Sequence, residues 1–157
     1  MLRYRTPCPL RSIDRKTPRR RELSVPCGRF RAMPERPPVP AEIIRRLGSL
    51  LGGFPDCQEE EAWAGVRWRV GGATVAHVFG GEDQLFRITF RAEPSELMAF
   101  ERLGAPYFRA SWGENVVGLV LGDDTDWDEL AELLTDSYCL QAPPRLADQV
   151  ARPDQAG

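Results

Sequence analysis

Apolar positions from Ala41 onward fall at helical spacing: Ile43, Ile44, Leu47, Leu50, Leu51 and Phe54 share one stripe of a 3.6-residue repeat. Gly52, Gly53 and Pro55 then stop the predicted helix. A polar turn carrying Glu59, Glu60 and Glu61 follows, after which the period changes to two. Over 66–70, Val66, Trp68 and Val70 alternate with Arg67 and Arg69, which predicts a half-buried strand. Gly71-Gly72 predicts a two-residue hairpin turn, since both glycines tolerate positive φ. Residues 73–79 read as the second strand, 80–83 as the next turn and 85–91 as the third strand. In that third strand Phe86, Ile88 and Phe90 take one face, and Arg87, Thr89 and Arg91 take the other.

A short helix is predicted over 94–103, with Pro94 in its first turn, where the missing N–H costs nothing, and Gly104 just past its end. Residues 107–112 and 116–121 make a second hairpin around Gly113-Glu114-Asn115. The strand over 116–121 is apolar on both faces, so it belongs inside the sheet. A last helix runs over 127–140 with Trp127, Leu130, Ala131, Leu134 and Tyr138 on its buried face, and Pro143-Pro144 ends it before a short turn at Arg145-Leu146. The order α-β-β-β-α-β-β-α predicts one α+β domain. In it an antiparallel sheet of about five strands carries its helices on one face. About 110 residues suffice for a single core without disulfide or metal staples.

Charge divides the chain in two. Residues 1–40 hold eleven Lys and Arg against three Asp and Glu, a net of +8, while 41–157 hold ten against twenty, a net of −10. Eight of the fourteen prolines lie in the first forty residues, so 1–39 is predicted to be a disordered basic leader, 40–148 the folded domain and 149–157 a tail. Arg19-Arg20-Arg21 is not followed by an apolar stretch, which argues against a secretory signal. Two accounts of residues 1–32 stand: an extension upstream of a start at Met33, or an arm for nucleic acid or anionic lipid. The longest apolar run, Val116 to Leu121, is far short of the ~20 residues of a membrane span. The four cysteines show no C-x-x-C spacing and suggest neither a disulfide framework nor a zinc site. A cytoplasmic monomer without cofactor or metal is the expectation.

The acidic run Asp123, Asp124, Asp126, Asp128 and Glu129 invites comparison with a calcium loop, which alternates its ligands and has glycine at the sixth position. Counted from Asp124, the sixth residue is Glu129, already inside the predicted helix. The spacing fits a capping box, with Asp126 as N-cap and Glu129 three residues on. His77 is the only histidine, and its register sets it with Ala73, Val75 and Phe79 as a hydrogen-bonded or half-exposed sheet residue. Catalysis by histidine needs a nucleophile or orienting carboxylate beside it. No G-x-S-x-G, Walker A, Rossmann or H-E-x-x-H pattern occurs, and neither Cys57 nor Cys139 has a basic sequence neighbour to activate it. No enzyme is predicted. One constellation remains: Arg67, Arg69, Arg87 and Arg91 share the solvent parity of two strands, a patch suited to phosphate or carboxylate unless neighbouring acids neutralise it.

The stretch Glu61-Ala62-Trp63-Ala64-Gly65-Val66-Arg67-Trp68-Arg69-Val70-Gly71-Gly72 resembles the opening strand of the MmcQ/YjbR family. The likeness extends to Trp112-Gly113-Glu114-Asn115-Val116-Val117-Gly118-Leu119, to Asp126-Trp127-Asp128-Glu129-Leu130 and to the closing Ala142-Pro143-Pro144-Arg145-Leu146. It runs in order from about residue 40 to 148. The resemblance implies a CyaY-like, double-wing α+β domain and a DNA-binding role with no established reaction. Two positions depart from the family pattern: Ala73 stands where a lysine commonly follows the hairpin, and Pro144 replaces a basic residue, leaving only Arg145. The expected function is therefore DNA binding through Arg67, Arg69, Arg87, Arg91 and Arg145. The alternative is a module for a protein partner or small anionic ligand, in a groove near Trp63, Trp68, Trp112 and Arg67.

Overall fold

The computed structural model of the chain describes residues 35–150. The leader expected over 1–39 therefore lies outside the described residues except for 35–39, and the tail expected over 149–157 except for Gln149 and Val150. Within the described span, Val39 is buried in the core and Val150 packs against it.

Each periodic segment forms its predicted element. Helix α1 (Ala41–Leu51) is followed by strands β1 (Gln58–Glu61), β2 (Val66–Val70), β3 (Ala73–Gly80) and β4 (Phe86–Arg91). Helix α2 (Pro94–Leu103), strands β5 (Tyr107–Arg109) and β6 (Val116–Leu121), helix α3 (Trp127–Gln141) and the short α4 (Pro144–Ala147) complete the chain. The β2–β3 hairpin turns on Gly71 and Gly72 at φ 54° and 87°, the left-handed pair that matches strand twist. Six strands make one antiparallel sheet in the order β1-β2-β3-β4-β6-β5, so the fold is the α+β class that the periodicities predict.

Strand pairing sorts side chains into two faces. Trp68, Ala76, Phe90 and Val117 lie side by side across four strands, as do Val66, Val78, Ile88 and Leu119 one step along. These residues meet Leu47 and Leu51 of α1, Leu97 of α2, Leu130, Leu134 and Tyr138 of α3 and Leu146 of α4 in one core. Tyr138 also stacks on Phe54 at 4.7 Å and donates its hydroxyl to the Pro55 carbonyl at 2.6 Å, tying α3 to the end of α1. Arg46 covers the Trp127 ring at 4.2 Å.

Three local features differ from the sequence expectation. The polar turn expected at Glu59–Glu61 is the edge strand β1, paired with β2 from Gln58↔Arg69 to Glu61↔Val66. Glutamates have low strand propensity, but Glu60 faces Arg67 and pairs with both Arg67 and Arg69 of β2, and that cross-strand charge pairing offsets the preference. Strand β5 is three residues long and ends well before Trp112. At α3, Asp126 accepts hydrogen bonds from the backbone N–H groups of Asp128 and Glu129 at 3.0 and 3.1 Å, as a cap should. Glu129 makes no reciprocal bond to the cap backbone. Burial, then the nearby Glu129 carboxylate, push the Tyr107 hydroxyl up to about 12. A reciprocal capping box forms at α2, between Glu93 and Glu96. Asp126→Ala is expected to lower stability by about 1 kcal/mol, read as a drop in denaturation midpoint.

Candidate functional site

One row of side chains crosses the sheet on the face opposite the helices: Glu60, Arg67, His77, Thr89, Gly118 and Phe108 are successive cross-strand partners. Arg87 and Arg91 flank Thr89 on the same face of β4, two residues away on either side. The strands thus bring Arg67, Arg87 and Arg91 to one surface, and Arg69 joins them beside Arg67.

Carboxylates already hold three of these arginines. Glu60 accepts from Arg67 Nε at 2.6 Å and from Arg69 Nη1 at 3.1 Å. The hydrogen bond from Arg69, reinforced by Arg67, keeps the Glu60 carboxyl below its ordinary value. Arg69 also donates to the Gly72 carbonyl in the hairpin. Asp83 takes both terminal nitrogens of Arg87, at 2.8 and 2.5 Å, and lies well below the usual carboxylate range because of that fork. Arg91 differs: its Nη1 donates to the Glu114 backbone carbonyl at 2.8 Å, and it has no carboxylate partner among the described residues. Arg145 belongs to α4, which packs on α3 in the helical layer. It is apart from the other four.

Two loops rise over the row and enclose a groove of about 260 Å³, lined by Trp63, Arg67, His77, Thr89, Arg91 and Trp112 among others. Each loop is tied down by a residue of the sheet face. His77 Nε2 donates to the Ala64 carbonyl at 2.5 Å and clasps the 62–65 loop. Burial lowers the His77 pKa, so the ring is neutral at pH 7, with Nδ1 as its acceptor. The bond from Arg91 to Glu114 clasps the loop that carries Trp112. Gly65 permits the first approach: its φ is 81°, and a Cβ there would meet the Val78 carbonyl oxygen at 1.9 Å. The two indoles remain open, Trp63 at 93% exposure and Trp112 at 61%. Arg36 sits 5.5 Å from the Trp63 ring centre, and Phe79 meets Trp112 edge-on at 6.0 Å.

Trp68, expected beside these residues, is instead in the core at 1% exposure. It lies within β2, where its parity opposite Arg67 and Arg69 sends it to the helical side. Sequence alone also missed Glu60. Its signal was a run of acids preceding a strand with alternating arginines, a pattern that becomes a charge pair only when the two segments align.

A larger cavity of about 720 Å³ lies at the other end of the sheet, between Leu85, Pro106, Tyr107 and the Asp123–Asp126 turn. Its rim includes Asp123, Asp124, Asp126 and Glu129, which makes it unsuited to an anion. No group of His, Cys, Asp and Glu among the described residues gathers as a metal site. Burial pushes the Cys57 thiol up to about 11, so it is not a nucleophile at neutral pH, and Cys139 is buried. No helix among the described residues is long and apolar enough to cross a membrane.

A family model described as YjbR matches residues 52–140, more than half of the chain. Among solved structures, the Deinococcus radiodurans protein DR2400, which carries the family domain DUF419, superposes with a TM-score of 0.56 at 17% identity. The match covers 73% of this chain and 93% of that one, and at such identity it speaks for the fold. No curated protein matches the chain at a significant level.

Proposed function

The chain belongs to the YjbR family, and from that premise we propose that it is a non-catalytic DNA-binding protein that engages its ligand with the outer face of the sheet. The observation that carries this reading is the groove in which two exposed indoles flank the Arg67 and Arg91 guanidinium groups. Guanidinium groups bind phosphate and open aromatic rings stack on bases, a pairing that recurs where nucleic acid is bound with little sequence preference. A non-catalytic role is supported by His77, whose Nε2 is engaged by Ala64, and by Cys57, which is held as a thiol.

Fluorescence anisotropy with a labelled oligonucleotide at about 50 mM salt tests the proposal. Binding by residues 33–157 as well as by the full chain is expected, with affinity falling as salt rises. Arg91→Ala should weaken binding about tenfold or more, since a charge-assisted hydrogen bond contributes roughly 1.5–3 kcal/mol. Absence of binding by both forms sinks the proposal. Binding by the full chain alone would move the activity into residues 1–32.

The size of the groove favours a second reading, a small anionic ligand. At about 260 Å³ it falls just short of the roughly 300–1,000 Å³ of drug-sized clefts, which suits a ligand smaller than those, and the Trp63 and Trp112 loops bound it on two sides. Stabilisation of the chain by a mononucleotide, without binding of any oligonucleotide, would favour that alternative.

A further inference from the structure

We infer that the groove between Trp63 and Trp112 receives one unpaired nucleotide of a DNA strand, with its base against the indoles and its phosphate on Arg67 and Arg91. This rests on the DNA-binding reading above and adds the form of DNA that the site selects.

The count of available guanidinium groups comes first. Arg69 and Arg87 are engaged by Glu60 and Asp83, whereas Arg67 uses Nε on Glu60 and Arg91 uses Nη1 on Glu114. Arg67 and Arg91 therefore retain terminal N–H groups at the groove, enough for one or two phosphates. Affinity for a duplex without sequence preference grows with the number of phosphates neutralised, and two guanidinium groups neutralise few.

Charge density points the same way. Residues 41–157 carry a net of −10. A duplex brings one negative charge per ~1.7 Å of its axis, twice the linear density of a single strand, so the acidic domain repels it more strongly.

The indoles supply the third argument. A tryptophan at 93% exposure forgoes nearly all its burial, and a second open indole borders the same groove. Base pairs in a duplex already have their faces stacked and offer only edges and backbone. An unpaired base presents a free face. His77 and Thr89 line the same groove, and the Thr89 hydroxyl, which donates to the His77 carbonyl, keeps its oxygen as an acceptor for the N–H edge of a base. Guanidinium groups and open indoles thus occur together at this groove, with Arg36 beside Trp63 at its rim.

The test uses the full chain at about 50 mM salt and three labelled DNA probes of one sequence (a single strand, a perfect duplex, and that duplex with one bulged nucleotide), with the matching RNA strand and a free deoxynucleotide as comparison ligands. The basic residues 1–40 add attraction to all three, so the readout is the ratio of affinities, with tryptophan quenching as a second signal. The single strand and the bulged duplex are expected to bind at least about tenfold more tightly than the perfect duplex. Trp63→Ala and Trp112→Ala should each erase most of that ratio with an unchanged melting temperature, and Trp112→Phe should restore part of it. Equal or tighter binding of the perfect duplex overturns the inference and leaves DNA binding standing. A free deoxynucleotide bound as tightly as the strand overturns the strand assignment, and tighter binding of the matching RNA overturns the choice of DNA. Absence of binding to every probe overturns both this inference and the reading it rests on.

Discussion

Trp68→Ala is expected to lower the stability of the domain by about 3–5 kcal/mol, whereas Trp63→Ala should stay within about 0.5 kcal/mol of the parent. The contrast follows from two tryptophans five positions apart meeting opposite environments. Trp68 is 1% exposed and faces Ala76 across the β2–β3 ladder, with Phe90 and Val117 beyond. Its removal opens a cavity beneath α3 that the small Ala76 side chain cannot fill. The Trp68 indole N–H finds no acceptor, so Trp68→Phe loses volume but relieves an unpaired donor, and its cost should be below about 2 kcal/mol. Urea denaturation checks all three: the midpoint should fall steeply for alanine, slightly for phenylalanine and not at all at Trp63. A small effect of Trp68→Ala would place this residue outside the core and contradict the sheet register.

Ser137→Ala carries the second large effect, about 2–4 kcal/mol, although it deletes one oxygen atom. Ser137 is fully buried in α3. Its hydroxyl donates to the Val75 carbonyl at 2.6 Å and accepts from the Arg91 backbone N–H at 2.8 Å. The register of β2 against β3 shifts between Trp68 and Arg69, next to Val75, so this carbonyl sits where the ladder is irregular. Alanine leaves two buried backbone groups without this partner, at roughly 1–3 kcal/mol each. Because Arg91 also clasps the Trp112 loop, the variant should weaken the proposed DNA binding as well. The Arg91 amide should exchange with deuterium faster in the variant. Ser49→Ala is the control: Ser49 is in α1 and donates only to its own turn, at the Arg45 carbonyl, so its change should be within about 0.5 kcal/mol.

Much of the fold was legible because its signals are local. The stripe from Ile43 to Phe54, the alternation through Val66–Val70, the paired glycines at 71 and 72 and the Asp126 cap each report conformations set by near neighbours in the chain. Strand β1 escaped notice for the complementary reason. Gln58–Glu61 lacks an apolar alternation, and its strand character comes from Arg67 and Arg69 alongside. Ser137 was hidden because a serine on a helix reads as solvent-facing until the Val75 carbonyl is seen against it.

The candidate site divides along the same line. By itself the sequence determined that Arg67, Arg69, Arg87 and Arg91 share the outer parity, since strand alternation has a period of two whatever the partners. It also carried the family likeness and the split between basic residues 1–40 and an acidic remainder. Tertiary structure alone decided that Glu60 and Asp83 hold three of those arginines, and that Arg145 stands apart. It also decided that Trp63 and Trp112 border one groove while Trp68 is buried. Those outcomes depend on which strands are neighbours and on two loops clasped by His77 and Arg91. Contacts between residues far apart in the chain arise from packing, which no local periodicity encodes.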